Sequence, residues 1–221
     1  MLSIEAIERL QEKINRNSKN DNIGNDLPRM VTALNEAQNK FVEWVLEKKN
    51  EDDIRLIQRL NVPSKKITFK SQDKFSNFYS LPDNYFDFAN LQVLAKSEAC
   101  KDYLQPHEIK VQNEHALLFD EANAPSFFFR HTLYNISDNS VRVFLGDFEI
   151  VDVFLSYYRY PTIINVEGWT DIDGVASFTS NPEWDDRTMD RVISIAAKDL
   201  NINNENLNRI QADNMRIQSE F

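Results

Sequence analysis

Apolar residues in this chain change period twice, and that pattern limits its fold more than any other feature. In the first third, Met30, Leu34, Ala37, Phe41 and Trp44 step by four, three, four and three residues, which lines one face of a helix. Asp26 and Pro28 stand where a cap and a first-turn proline belong, so a long helix is expected over about 27–49. Upstream, Ile4, Ile7, Leu10 and Ile14 repeat at the same spacing behind Ser3, an expected N-cap. Downstream, Ile54, Ile57 and Leu60 continue to Pro63, giving a short helix over about 51–61.

From there apolar residues alternate, as half-buried strands require. Strands are expected over about 65–70, 75–80, 87–96, 108–119, 126–135, 140–146 and 149–159. Ser137-Asp138-Asn139 reads as a hairpin turn between Phe127–Tyr134 and Val141–Leu145. In the last strand Val151, Val153, Leu155 and Tyr157 fall on one face.

The helical period then returns. Trp184-Asp185-Asp186 places acids at a helix N-terminus, and Met189, Val192, Ile193, Ala196 and Leu200 form an apolar stripe. After the polar run Asn201 to Asn206, Leu207, Ile210, Ile217 and Phe221 mark a weaker helix with Asn214 on its apolar face. The expected fold is α+β: a helical bundle from the two ends with a central β-rich insertion. Its divisions are 1–62 for the N-terminal helices, 63–166 for the insertion, and 167–221 for the C-terminal helices and a docking arm.

Several kinds of chemistry find no footing. The only glycines are Gly24, Gly146, Gly168 and Gly174, so no phosphate-cradling loop has the spacing it needs. Cys100 is the only cysteine, which rules out an intrachain disulfide and multi-cysteine zinc sites; a partly buried free thiol is expected. His107, His115 and His131, near Glu108, Asp120 and Glu121, match no familiar metal clamp. Asp171-Ile172-Asp173-Gly174 puts its glycine at position four and Pro182 at position twelve, where a calcium loop needs glycine at six and glutamate at twelve. Acid pairs such as Asp52/Asp53 and Asp185/Asp186 are explained by capping, and no Ser has nucleophile-elbow glycines. No catalytic residue, cofactor or metal is expected.

The formal charge of −10 repels phosphate. The basic cluster Lys65, Lys66, Lys70 and Lys74 reads as a solvated strand face. No apolar run approaches the ~18 residues needed to cross a bilayer, and Met1-Leu2-Ser3-Ile4-Glu5 carries no secretory pattern; no membrane partner is expected. Phe127-Phe128-Phe129 and Tyr157-Tyr158-Arg159-Tyr160 would put rings on both faces of their strands. Phe127, Phe129, Tyr158 and Arg159 are therefore candidate interface residues, although a strand buried on both sides accounts for them equally.

Leu27-Pro28-Arg29-Met30 to Glu47, the helix to Leu60, Ser80-Leu81-Pro82-Asp83-Asn84-Tyr85-Phe86, Ser156-Tyr157-Tyr158-Arg159-Tyr160-Pro161 and Trp184 to Leu200 span most of the chain. In their order and spacing they resemble the head–tail adaptor proteins of tailed phages, most of all the first neck ring proteins of crAss-like podophages. The resemblance implies a structural virion protein of the neck, made in the bacterial cytoplasm, and a closed ring on the order of twelve copies. It implies a portal protein on one side, the next neck or tail ring protein on the other, and DNA passing through the lumen without specific binding. The C-terminal segment would dock on the portal, with Ile210, Ile217 and Phe221 as anchors. Two other classes stay open: a carbohydrate- or receptor-binding β module, and a metal-dependent hydrolase.

Overall fold

The computed structural model describes residues 1–17, 26–48, 51–98, 100–110, 118, 120, 123–137, 139–170 and 174–200. Helix and sheet are mixed in an α+β chain, which divides into two compact units. One draws on Met1–Arg59 and Pro161–Phe221, the other is Leu60–Tyr160.

The first unit contains α1 (Ser3–Asn17), α2 (Leu27–Lys48), the short α3 (Glu51–Ile54) and most of a 3-10 helix, Arg55–Leu60. A further helix, α4, runs over 186–200. The apolar stripes become buried faces: Ala6, Ile7, Leu10 and Ile14 on α1, Leu34, Ala37, Phe41 and Val45 on α2, and Met189, Val192, Ile193, Ala196 and Leu200 on α4. Ile4 and Trp44, expected on those stripes, are exposed, and Trp44 lies under the Lys48 ammonium, 4.2 Å from the ring centre. Polar contacts join α1 to α4 through Arg9 and Asp190 (3.0 Å) and through Lys13 and Ser194 (2.6 Å). Lys40 reaches Asp199 from α2 (2.8 Å). Between Pro161 and α4 the chain makes an irregular ribbon with bridges Asn165↔Ser180 and Thr170↔Ala176. Asn35 of α2 holds its start by donating to the Ile164 carbonyl and accepting from the Ile164 amide.

The second unit is one eight-stranded sheet: β1 (Asn61–Lys66), β2 (Thr68–Gln72), β3 (Ser76–Ser80), β4 (Tyr85–Ser97), β5 (Cys100–Glu108), β6 (His131–Ser137), β7 (Ser140–Phe144) and β8 (Glu149–Arg159). Its order is β1-β8-β4-β5-β6-β7-β3-β2. The two edge strands, β1 and β2, are separated in sequence by Ile67 alone. One bent segment thus supplies both edges, and the sheet curls around a main core drawn from β3 to β8 and Ile67, with a smaller cluster of Ile109, Leu133 and Phe144 beside it. Among the described residues only β5 and β6 pair in parallel, which demands the long crossover between them.

Three strand expectations are corrected. A strand not expected occupies 100–108, and of the expected 108–119 strand residues 109 and 110 are not in a strand: β5 buries only Leu104 fully and contains Pro106, so it carries no clear alternation. Residues 111–117 lie outside the described residues. The expected 126–135 strand begins only at His131, because Phe127–Arg130 is a turn. In β8, Val153, Leu155 and Tyr157 face the core, but Val151 is 39% exposed. A register shift against β4 inserts one extra residue there, so Ile150 packs on the core instead.

Candidate interaction surfaces

The crossover from β5 to β6 ends in a tight loop. Ser126 and His131 exchange both backbone hydrogen bonds (3.0 and 3.1 Å), and Arg130 N–H closes onto the Phe127 carbonyl at 3.1 Å. Arg130 takes a left-handed backbone, φ 54°, a conformation that costs a non-glycine residue energy and marks a tightly determined turn. Two groups fasten the loop to neighbouring strands: Gln105 N–H donates to the Arg130 carbonyl (2.7 Å), and Phe127 N–H donates to Asp147 Oδ1 (2.8 Å). Gly146 makes the second attachment possible. A Cβ there would stand 2.1 Å from the Pro125 carbonyl oxygen, so only glycine lets the two backbones approach.

What this loop displays is apolar. Phe127 turns partly into the core, while Phe128 is 83% and Phe129 66% exposed, their rings edge to face at 5.2 Å. Phe129 also lies 6.4 Å from the His131 ring, which is 6.2 Å from His107. Tyr103 is exposed on the same strand as His107, two side-chain alternations away. Arg130 pairs with Asp102 at 3.1 Å beside them. Two phenyl rings held in water by a fastened turn form the strongest candidate binding feature in the chain, since rigid aromatics lose little entropy when a partner covers them.

The other candidates lie elsewhere. Tyr158 and Arg159 end β8, whose start adjoins the Phe127 loop; at about 3.3 Å per residue they are roughly 30 Å from it. Tyr158 is half-buried, and Arg159 donates to the Tyr160 carbonyl (3.1 Å). Nearby, Phe86 and Tyr160 meet edge to face at 4.8 Å, and the buried Tyr157 hydroxyl donates to Asn84 Oδ1 (2.9 Å). Burial and the charges of Asp87 and Glu108 push Tyr85 up to about 12, and burial with Glu108 does the same for Tyr134; both stay neutral, Tyr134 in the core and Tyr85 packed against it. Phe127, Phe129, Tyr158 and Arg159 therefore do not form one patch. Phe128, the most exposed ring among the described residues, is missed in the sequence because an assumed strand would turn it inward.

Ile210, Ile217 and Phe221 lie outside the described residues, as do His115, Glu121 and Asp171 to Asp173. Among the described residues no three His, Cys, Asp or Glu side chains gather as metal ligands. Cys100 is exposed, not partly buried, because it opens β5 on the solvent side of its hairpin with β4. No described helix is long and apolar enough to cross a membrane. No family model matches the chain, and no curated protein matches it significantly.

Proposed function

We propose that this chain is a structural subunit of a phage head–tail connector ring. In this reading the N- and C-terminal helices make one bundle, the β-rich residues are an insertion in it, and the subunit acts by binding proteins rather than by turning over a substrate. The observation that carries it is the fastened loop holding Phe128 and Phe129 in solvent. The order and spacing of the sequence segments that resemble adaptor proteins supply the identity of the partners: the portal, a neighbouring copy and the next tail component. A net charge of −10 fits a ring around passing DNA, because a negative lumen does not hold the duplex.

The test is electron microscopy of the purified protein mixed with the portal from the same genome. Rings seated on the portal are expected, and their loss is expected with Phe128→Ser plus Phe129→Ser at unchanged melting temperature. Absence of any portal complex overturns the connector reading. Undiminished rings in the double variant remove the loop from it.

A further inference from the structure

The bend that lets one segment serve as both sheet edges also splits the sheet. β1 stays paired with β8 only as far as Lys66↔Phe154, with a last bond from Ile67 N–H to the Val153 carbonyl at 3.0 Å. From there β2 leaves to pair with β3. Toward Glu149, β8 keeps β4 on one side, and no described strand pairs with its other side. β2 likewise pairs with β3 alone.

A cleft of about 580 Å³ lies between these two open edges. Ile67, Phe69, Ile150 and Val151 give it apolar walls, and Lys66 pairs with Asp152 at it. Asn77 lines it too, only 8% exposed, and its Oδ1 has no hydrogen-bond partner among the described residues. A buried acceptor left without a donor is costly to keep. Open strand edges, apolar walls and an unused acceptor together form a receptor for an extended chain that adds as a strand.

The ribbon of the first unit has the complementary character. Two-stranded ribbons are marginal alone, and this one leaves Ile163, Val175 and Phe178 exposed, Phe178 by 66%. Between Pro161 and Ser180 the sequence has Glu167, Asp171 and Asp173 and no Lys or Arg, with Asp171 and Asp173 outside the described residues. The bent segment at the cleft carries Lys65, Lys66, Lys70 and Lys74 against Asp73 alone, in a chain whose net charge is −10. Opposite charges on two surfaces of one chain favour contact between copies in a fixed direction.

We infer that the β1–β2 cleft of one copy receives the acidic ribbon around Phe178 of a second copy. This rests on the ring reading above and specifies its subunit contact: one surface meets a different surface, a head-to-tail contact that closes into a ring when the rotation permits. Phe178 fills the apolar cleft, and the ribbon backbone extends the open edge of β8.

Disulfide trapping tests it in a Cys100→Ser background, which removes the exposed native thiol. The full-length Phe178→Cys chain is mixed with the Val151→Cys chain, and in a control with the Tyr103→Cys chain. Phe69→Cys, across the cleft, replaces Val151→Cys if that chain fails to fold by circular dichroism. Cross-linking to the cleft should be at least tenfold faster than to Tyr103→Cys, and Lys65→Glu with Lys70→Glu should abolish the preference. Equal rates overturn the inference, as does preferential trapping of the cleft cysteine by cysteine-substituted portal in mixed assemblies. Rings seen on the portal without selective trapping overturn this contact alone; selective trapping with no portal complex keeps the contact and removes the connector reading.

Discussion

Phe41 and Trp184 meet edge to face, ring centroids 5.9 Å apart at 85°, so residues far apart in sequence share the core of the first unit. The indole is also fixed by its N–H, which donates at 2.6 Å to Oε1 of Gln38, one turn back along α2. Gln38 is itself buried, and its amide donates to Asn35 Oδ1 (3.0 Å) and toward the Thr162 carbonyl (3.4 Å). One polar side chain thus satisfies three segments inside an apolar contact, the condition under which a buried amide is tolerated.

Removing the Phe41 ring leaves a hole beside Trp184. Phe41→Ala should cost about 3–5 kcal/mol in chemical denaturation. Gln38→Leu should cost about 1–3 kcal/mol by stranding the Trp184 N–H. A loss under ~1 kcal/mol for Phe41→Ala would place the ring outside the core.

Asp185 caps α4: its carboxylate accepts from Thr188 N–H (2.9 Å) and the Thr188 hydroxyl (3.1 Å). The Thr188 amide bond is the main reason its pKa lies below the usual 3.8, burial opposing and Arg59 assisting. A carboxylate depressed on folding stabilises the protein above its unfolded pKa, and that contribution disappears as pH falls through the folded value. Asp185→Ala should therefore cost about 1 kcal/mol at pH 7. Melting curves should show the gap to the parent protein closing below about pH 3.8; a gap independent of pH would assign the cost to something other than the charged cap.

α2 was legible because its apolar period runs uninterrupted over many turns, and α4 because its stripe follows a capping acid. The middle of the chain was harder for identifiable reasons. β5 is mostly exposed, so alternation had little to mark. The turn at Phe127–Arg130 contains none of Gly, Pro, Asn or Asp, and its left-handed residue is an arginine; local chemistry gives no warning of it. Gly146 was the only available hint, since an isolated glycine often marks a close backbone approach. Nor does alternation report a bulge, so Val151 and Ile150 exchanged faces unseen. The cleft depends on Asn77, Ile67 and Val151, which meet only once the sheet has curled.

Gly146→Ala tests how the aromatic loop is held. A methyl group 2.1 Å from the Pro125 oxygen must displace backbone, and overpacking of this kind costs about 1–3 kcal/mol. The displacement should loosen the bond from Phe127 N–H to Asp147 and with it the Phe128 and Phe129 rings. Hydrogen exchange should speed up at Phe127, Arg130 and His131 while the β4 and β8 amides stay protected. Unchanged exchange at the loop would show that the turn is held without this crossing.

The last prediction concerns the portal-docking role proposed for the residues after Leu200. Leu200 is buried and completes the apolar stripe of α4, so a chain ending there keeps every buried side chain described for both units. Beyond it the sequence is polar and Asn-rich, with Ile210, Ile217 and Phe221 spaced to fill a groove on a partner. Deleting 201–221 should leave the melting temperature nearly unchanged and abolish portal capture in a pull-down. Replacing Ile210, Ile217 and Phe221 together by serine should reproduce that loss in the full-length protein, separating the anchors from any effect of shortening. A truncated chain that still captures portal would move the docking surface to the described residues, where the Phe128 loop is the first alternative. A truncated chain that melts far earlier would make the segment part of the fold.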